Sequence, residues 1–277
     1  MERVGEHAVP VGPLAVRWLA YELGEARAGV TAHARLQLEN AGSAPWRSHG
    51  KEGLQLAYHW LDPLGNPIVW DGRRTAFPHV VQPGGTADLD VLVTAPRPPG
   101  AYRLAFDLVE EHRFWLQEVG STPLDLPVRV RTRIDERRLR VVVGDKDPAT
   151  VAALAAQEEP LAADDTVAVA YLAPGAAPAP DWSRLLLDAH AEGWPAVGGA
   201  VEIQGGITTR TERRHFTPWA PGGGRNPRFE RPLLFPSLLD GLEPGSFEGL
   251  PAFSGADSLF EGRAVVRLRR RSDRPSG

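Results

Sequence analysis

Residues 95–116, APRPPGAYRLAFDLVEEHRFWL, constrain the fold more than any other stretch of the chain. They open on a corner built from Pro96, Pro98, Pro99 and Gly100, through which no regular element can run. Tyr102, Leu104, Phe106 and Leu108 then recur at every second position, the period of a strand with one buried face. Glu110-Glu111 supplies a turn, and the chain starts back through Phe114 and Leu116. A lone hairpin is barely stable in water, so such a strand requires further strands beside it.

Those partners are present on both sides. Residues 15–23 read as a first strand, and 29–39 as a second with Val30, Ala32, Ala34, Leu36 and Leu38 inward. Residues 40–43, NAGS, make a turn. Leu54, Leu56, Tyr58 and Trp60 line one face of the next strand, and a hairpin at 62–66 leads to a short strand at 68–71. After the turn at 82–85 come Ala87, Leu89, Val91 and Val93, and a last strand carries Leu124, Leu126, Val128 and Val130. Short strands at this spacing, without a helical period, predict an all-β sandwich over residues 1–133.

Residues 134–277 read differently. Residues 139–143 are a continuous apolar run that suits a strand buried on both faces. Asp147-Pro148 offers an N-cap and a first-turn proline for a helix at 150–157. Residues 166–172 form a second apolar strand. Asp181 caps a helix at 182–192, Gly193 stops it, and 196–201 is a third strand. This alternation predicts a small α/β domain with a short parallel sheet. Residues 203–260 are rich in Pro, Gly and Arg, with 233–239 and 264–269 the ordered-looking pieces, and are expected to form an irregular arm.

The totals remove several function classes. The chain has 277 residues, enough for two domains, and no cysteine, which excludes disulfides, thiolate catalysis and cysteine metal sites. A net charge of -4 argues against bulk attraction to nucleic acid, with Arg267–Arg271 a local basic exception. No apolar run reaches the about 20 residues of a membrane span, and the first residues lack a secretory leader pattern. A cytoplasmic location is the expectation.

Three motifs carry a resemblance. Asn40, Gly42 and Trp46 form N-x-G-x-x-x-W; Tyr58, Trp60, Leu61 and Asp62 form Y-x-W-L-D; residues 98–109 read P-P-G-x-Y-x-L-x-x-D-L-V. Together they resemble the immunoglobulin-like modules of bacterial polysaccharide-handling proteins, including the carbohydrate-binding tail domain of O-antigen exporters. The resemblance implies that Tyr102 makes a tyrosine corner. In the second half Pro178, Pro180, Asp181, Trp182, Val197, Gly198 and Gly199 look like the segment after the metal-binding aspartates of a GT-A glycosyltransferase. Where that family has acidic residues this chain has Ala173-Pro174-Gly175-Ala176, so the resemblance implies a truncated, degenerate transferase fold without its metal.

Sugars stack their C–H faces on flat rings, which makes Trp46, Trp70 and Trp115 candidate platforms, while Trp60 shares the inward phase of Leu54 and Leu56 and reads as core. Asp71, Arg73, Glu110, Glu111 and His112 lie at loop ends, where a sandwich displays binding groups. The leading expectation is a non-catalytic carbohydrate-recognition or scaffold protein of bacterial glycan assembly, with a glycosyltransferase or another protein as a further partner. No cofactor, metal ligand or catalytic residue is assigned to it. Two alternatives stand beside it. One is a divergent transferase with Asp145 and Asp181 near a nucleotide-sugar; the other is a structural module docking through residues 203–271. Gly222–Asn226 lacks the Lys-Ser/Thr pair of a phosphate loop, and the spacing of Glu212, His215 and Asp240 demands no acid–base set.

Overall fold

The computed structural model describes residues 1–49, 52–143, 147–163, 168–172, 175–204, 212–215 and 258–269. The chain divides into two compact units, Met1–Thr132 and Arg133–Gly277.

In the first unit the strands are β1 (Glu2–Arg3), β2 (Val16–Leu23), β3 (Thr31–Asn40), β4 (Ser48–His49), β5 (Glu52–Leu61), β6 (Pro67–Val69), β7 (Thr75–Ala76), β8 (Thr86–Thr94), β9 (Gly100–Glu110), β10 (Phe114–Trp115) and β11 (Leu124–Val130). One antiparallel sheet runs β1-β2-β3-β8. The other is built on the antiparallel pair β5-β9: β10 and β11 pair with β9, while β4, β6 and β7 pair with β5. Ala34, Leu36, Leu38, Leu89 and Val91 from the first sheet meet Leu54, Leu56, Trp60, Leu104, Phe106 and Leu108 from the second in one buried core. Polar tips of large core residues tie the sheets together. Trp60 Nε1–H donates to the Thr94 carbonyl at 2.9 Å, and the Tyr58 hydroxyl accepts from Thr94 N–H at 3.0 Å. The unit is a β-sandwich. Tyr102 Oη donates to the Pro98 carbonyl at 2.7 Å, the expected tyrosine corner.

Alternation predicts a single buried face on β9, yet every residue from Leu104 to Val109 is buried. Gln55, Ala57 and His59 on β5 are buried too, although they point away from the core phase. The cause is a second cover: the segment after β6, then β10, and a 3-10 turn at Leu116–Val119 fold over the outer face. Ala57, Val109 and Trp115 form a small apolar cluster there.

The second unit contains β12 (Leu139–Val143), α1 (Pro148–Ala155), β13 (Leu161–Ala162), β14 (Ala168–Leu172), β15 (Ala176–Pro178), α2 (Trp182–Ala191), β16 (Ala196–Gln204), β17 (Glu212–His215) and β18 (Ser258–Arg269). Asp147 caps α1 by accepting from Thr150 N–H at 2.7 Å. Strands β13-β12-β14 make a parallel sheet, while β16 joins a different one, ordered β15-β18-β16-β17. In that second sheet β16 is parallel to β18, and β15 and β17 are antiparallel to their neighbours. A single sheet holding residues 139–143, 166–172 and 196–201 is therefore not formed. Leu185, Leu186 and Leu187 of α2 pack with Leu139, Ala170, Ala264 and Val266 in the core of this unit. A Cβ at Gly199 would sit 2.2 Å from the Ala264 carbonyl oxygen, so close strand approach at the β16 bulge requires glycine. Among the described residues no helix is long and apolar enough to cross a membrane.

Candidate functional site

The outer face of β5-β9 carries the densest cluster of ring and charge contacts in the first unit. The segment 70–74 reaches this face because Gly72 lies directly on β5. Its N–H donates to the Tyr58 carbonyl at 2.9 Å, and a Cβ there would fall 2.4 Å from that oxygen. Trp70 and Asp71 precede this anchor and Arg73 and Arg74 follow it.

His59 and Trp70 stack with ring centroids 4.1 Å apart at 23°. Trp115 meets both edge-on, 4.3 Å from His59 and 6.0 Å from Trp70. These are the offset and T-shaped geometries that ring quadrupoles favour. His59 Nδ1 contacts the Trp70 carbonyl. The Arg74 guanidinium lies 4.8 Å from the Trp115 ring centroid, and three acceptors hold it: Glu111 Oε1 at 2.5 Å, Asp71 Oδ1 at 3.0 Å and the Gly72 carbonyl at 3.0 Å. Trp70 remains 42% exposed, against 8% for Trp115 and 1% for His59. The result is one open indole face set on a rigid aromatic base, with a carboxylate–guanidinium–carboxylate array at its rim.

Two ionisable groups in this layer have shifted pKa values. Burial pushes His59 below its usual range; the backbone bond to Trp70 and Asp71 push the other way, and Arg74 adds to the lowering. Asp107, fully buried on β9 opposite Ala57, accepts from Leu108 N–H at 2.7 Å and Gln117 N–H at 3.1 Å. Burial outweighs those two bonds and pushes its carboxyl up to about 7.

The expected residues distribute unevenly over this geometry. Trp70, Trp115, Asp71 and Glu111 are brought together. Trp46 is not a platform: it is fully buried and packs on Phe77 at 5.2 Å, because its backbone pairs with Val81 and turns the ring inward. Arg73 is exposed next to Gly72. Glu110 pairs weakly with Arg113 at 4.0 Å, and His112 is an exposed turn residue at φ 62°. Asp181 sits before α2, 3.8 Å from Arg184, without a capping bond. Asp145 lies outside the described residues, as do Gly222–Asn226, Asp240 and 233–239. His59, Arg74 and Asp107 were missed. His59 and Asp107 do carry a signal, since each sits on the opposite phase from two core residues inside an otherwise apolar run.

In the second unit a cleft beside α1 is lined by Val141, Val151, Leu154, Glu158, Glu159 and Leu161. Both carboxylates are engaged, Glu158 by Arg184 at 2.7 Å and Glu159 by Arg137 at 2.5 Å. Among the described residues no group of three or more histidines and carboxylates is placed to hold a metal.

No family model matches the chain, and no curated protein matches it. Solved structures similar to it include the C-terminal domain of Wzt, at 11% identity and a TM-score of 0.32, spanning 45% of this chain and 77% of that one. A family 123 glycoside hydrolase from Clostridium perfringens is similar at 10% identity and 0.24, over 47% of this chain and 26% of the hydrolase. The ASH/PapD-like domain 7 of human CEP192 is similar at 16% identity and 0.22, over 47% and 94%.

Proposed function

We propose that the first unit is a carbohydrate-recognition module whose ligand stacks on Trp70, and that the protein serves glycan assembly by binding rather than by catalysis. The observation that carries this reading is the exposed Trp70 ring on its His59–Trp115 base, flanked by Asp71, Arg74 and Glu111. A pyranose presents an apolar C–H face and a rim of hydroxyls. An indole takes the first, and a planar guanidinium between two carboxylates offers both donors and acceptors to the second. The stack fixes the ring before binding, so little side-chain entropy is lost when the sugar lands. In this reading the carboxylates bond hydroxyls and perform no proton transfer, and no cofactor is required.

Calorimetric titration with mannose, galactose, rhamnose and N-acetylglucosamine oligosaccharides tests it. Saturable binding is expected for at least one class. Trp70→Ala should weaken it by about thirtyfold or more, the roughly 2 kcal/mol of an aromatic anchor. Binding that survives Trp70→Ala unchanged would remove the platform from the account.

A second reading rests on β6. Leu64 in the turn before this short edge strand, Ile68 within it and Trp70 just after it are all exposed, at 88%, 48% and 42%. An apolar edge of this kind suits a protein partner, including a transferase acting on the same glycan. Loss of partner capture in Ile68→Asp with sugar binding intact would favour that reading.

A further inference from the structure

Beneath Trp70 lies a histidine to which the sugar reading gives only a packing role. His59 is almost fully buried, and a buried imidazole must stay uncharged or find partners. Its Nδ1 contacts the Trp70 carbonyl, which can only accept, so Nδ1 carries the proton. In the neutral ring Nε2 is then a bare lone pair. That Nε2 is buried and has no hydrogen-bond partner among the described residues.

The charges around it come from several elements. On the segment after β6, Asp71 favours a protonated His59 and Arg74 opposes one, and these two also pair with each other. Glu111, after β9, takes the other side of Arg74. On β9 the outer face carries Asp107, held by two backbone N–H groups, and Arg103, paired with Asp125 of β11. The 3-10 turn over this face adds Glu118, which bonds back to Trp115 N–H. On β5 itself the neighbouring outward positions are Gln55, Ala57 and Leu61, none ionisable. Of these charges Asp71 and Arg74 act on His59 and in opposite directions, and burial outweighs the groups that favour the proton.

A proton on Nε2 would place an N–H cation between two indoles with no acceptor. Stacking on Trp70 offsets part of that cost. Water supplies the missing acceptor only if the overlying ring moves. We propose that His59 is the positioning residue of the platform: neutral, it holds Trp70 against the sheet, and on protonation it releases that ring. The release itself is independent of the sugar reading. Its consequence, that ligand is held near neutral pH and let go in mild acid, rests on that reading.

The test is a ¹⁵N NMR titration of the intact protein from neutral to mildly acid pH. The His59 ring nitrogens and the Trp70 indole N–H are expected to move together, with one midpoint below the ordinary 6.5. His59→Gln keeps a donor for the Trp70 carbonyl but does not titrate, so its Trp70 resonance should stay put. A wild-type Trp70 resonance that is flat while His59 takes up its proton overturns the proposal. So does an equal movement in His59→Gln. Neither arm needs a sugar. For any panel oligosaccharide that binds, affinity should fall by about tenfold per pH unit below the His59 midpoint in the wild type and stay level in His59→Gln. Should Trp70→Ala leave sugar binding untouched, the sugar reading fails while the two titration arms still decide the role of His59.

Discussion

Asp107 has no exposed surface and two backbone N–H partners, and its folded pKa of about 7 stands well above the ordinary 3.8. Between those two values the folded chain binds more protons at this site than the unfolded chain does. Stability is therefore fully present below pH 3.8 as far as this group is concerned, and declines as pH rises through 7. The full loss is bounded at about 4 kcal/mol, since each pH unit separating the folded and unfolded values contributes about 1.4 kcal/mol. Asp107→Asn should flatten that decline and raise the melting temperature at about pH 8, above the folded value, read by thermal unfolding across a pH series. A decline in the variant as steep as that of the wild type would show that another group dominates. At this scale the sequence was legible wherever a residue's role is local. Tyr102 follows its Pro/Gly corner directly, and its hydroxyl reaches back only to Pro98. Trp46 was not legible, because its inward turn comes from pairing with Val81, 35 residues further along. His59 and Asp107 are marked only as polar residues inside apolar runs, and what buries them, Trp70 and the 3-10 turn, reaches them only once the chain has folded back over the sheet.

Segments that cover a sheet depend on single close approaches, and Gly72 is the one that matters for the platform. Its missing Cβ admits the Tyr58 carbonyl, and the segment carries Trp70 and Asp71 just before this point and Arg74 just after it. Gly72→Ala should lift the segment, separate Trp70 from His59 and expose Ala57 and Val109. A shifted tryptophan emission spectrum with a largely retained far-ultraviolet circular dichroism spectrum is the expected pair of readings. An unchanged emission spectrum would show that the segment is held by Arg74 instead. Helix α1 was readable from Asp147-Pro148 because caps are local chemistry. Strand β16 was readable as a strand, but its sheet was not. Its parallel partner is β18, whose residues start 54 positions after the end of β16, and no local pattern specifies such pairing.

At the scale of the whole molecule, each unit owns a core. Among the described residues, the buried side chains of the sandwich cluster all fall within residues 16–130, and the second cluster draws only on residues from Ile134 onward. A fragment of residues 1–132 should therefore fold alone, giving a cooperative thermal transition and a β-type circular dichroism spectrum. A fragment that stays unfolded would mean that the sandwich depends on residues after 132. The sandwich was the most legible part of the chain because its strands alternate, and alternation survives any detail of packing. The double cover on β5 and β9 has its own cost in mutational freedom. An ordinary sandwich strand offers its outer positions to drift, since solvent tolerates nearly any side chain there. In β9 the six consecutive residues from Leu104 to Val109 are enclosed on both sides. Neutral change in this unit is thereby displaced to its hairpin tips and to β3 and β8, while the strand beneath the platform is left with almost no room to vary.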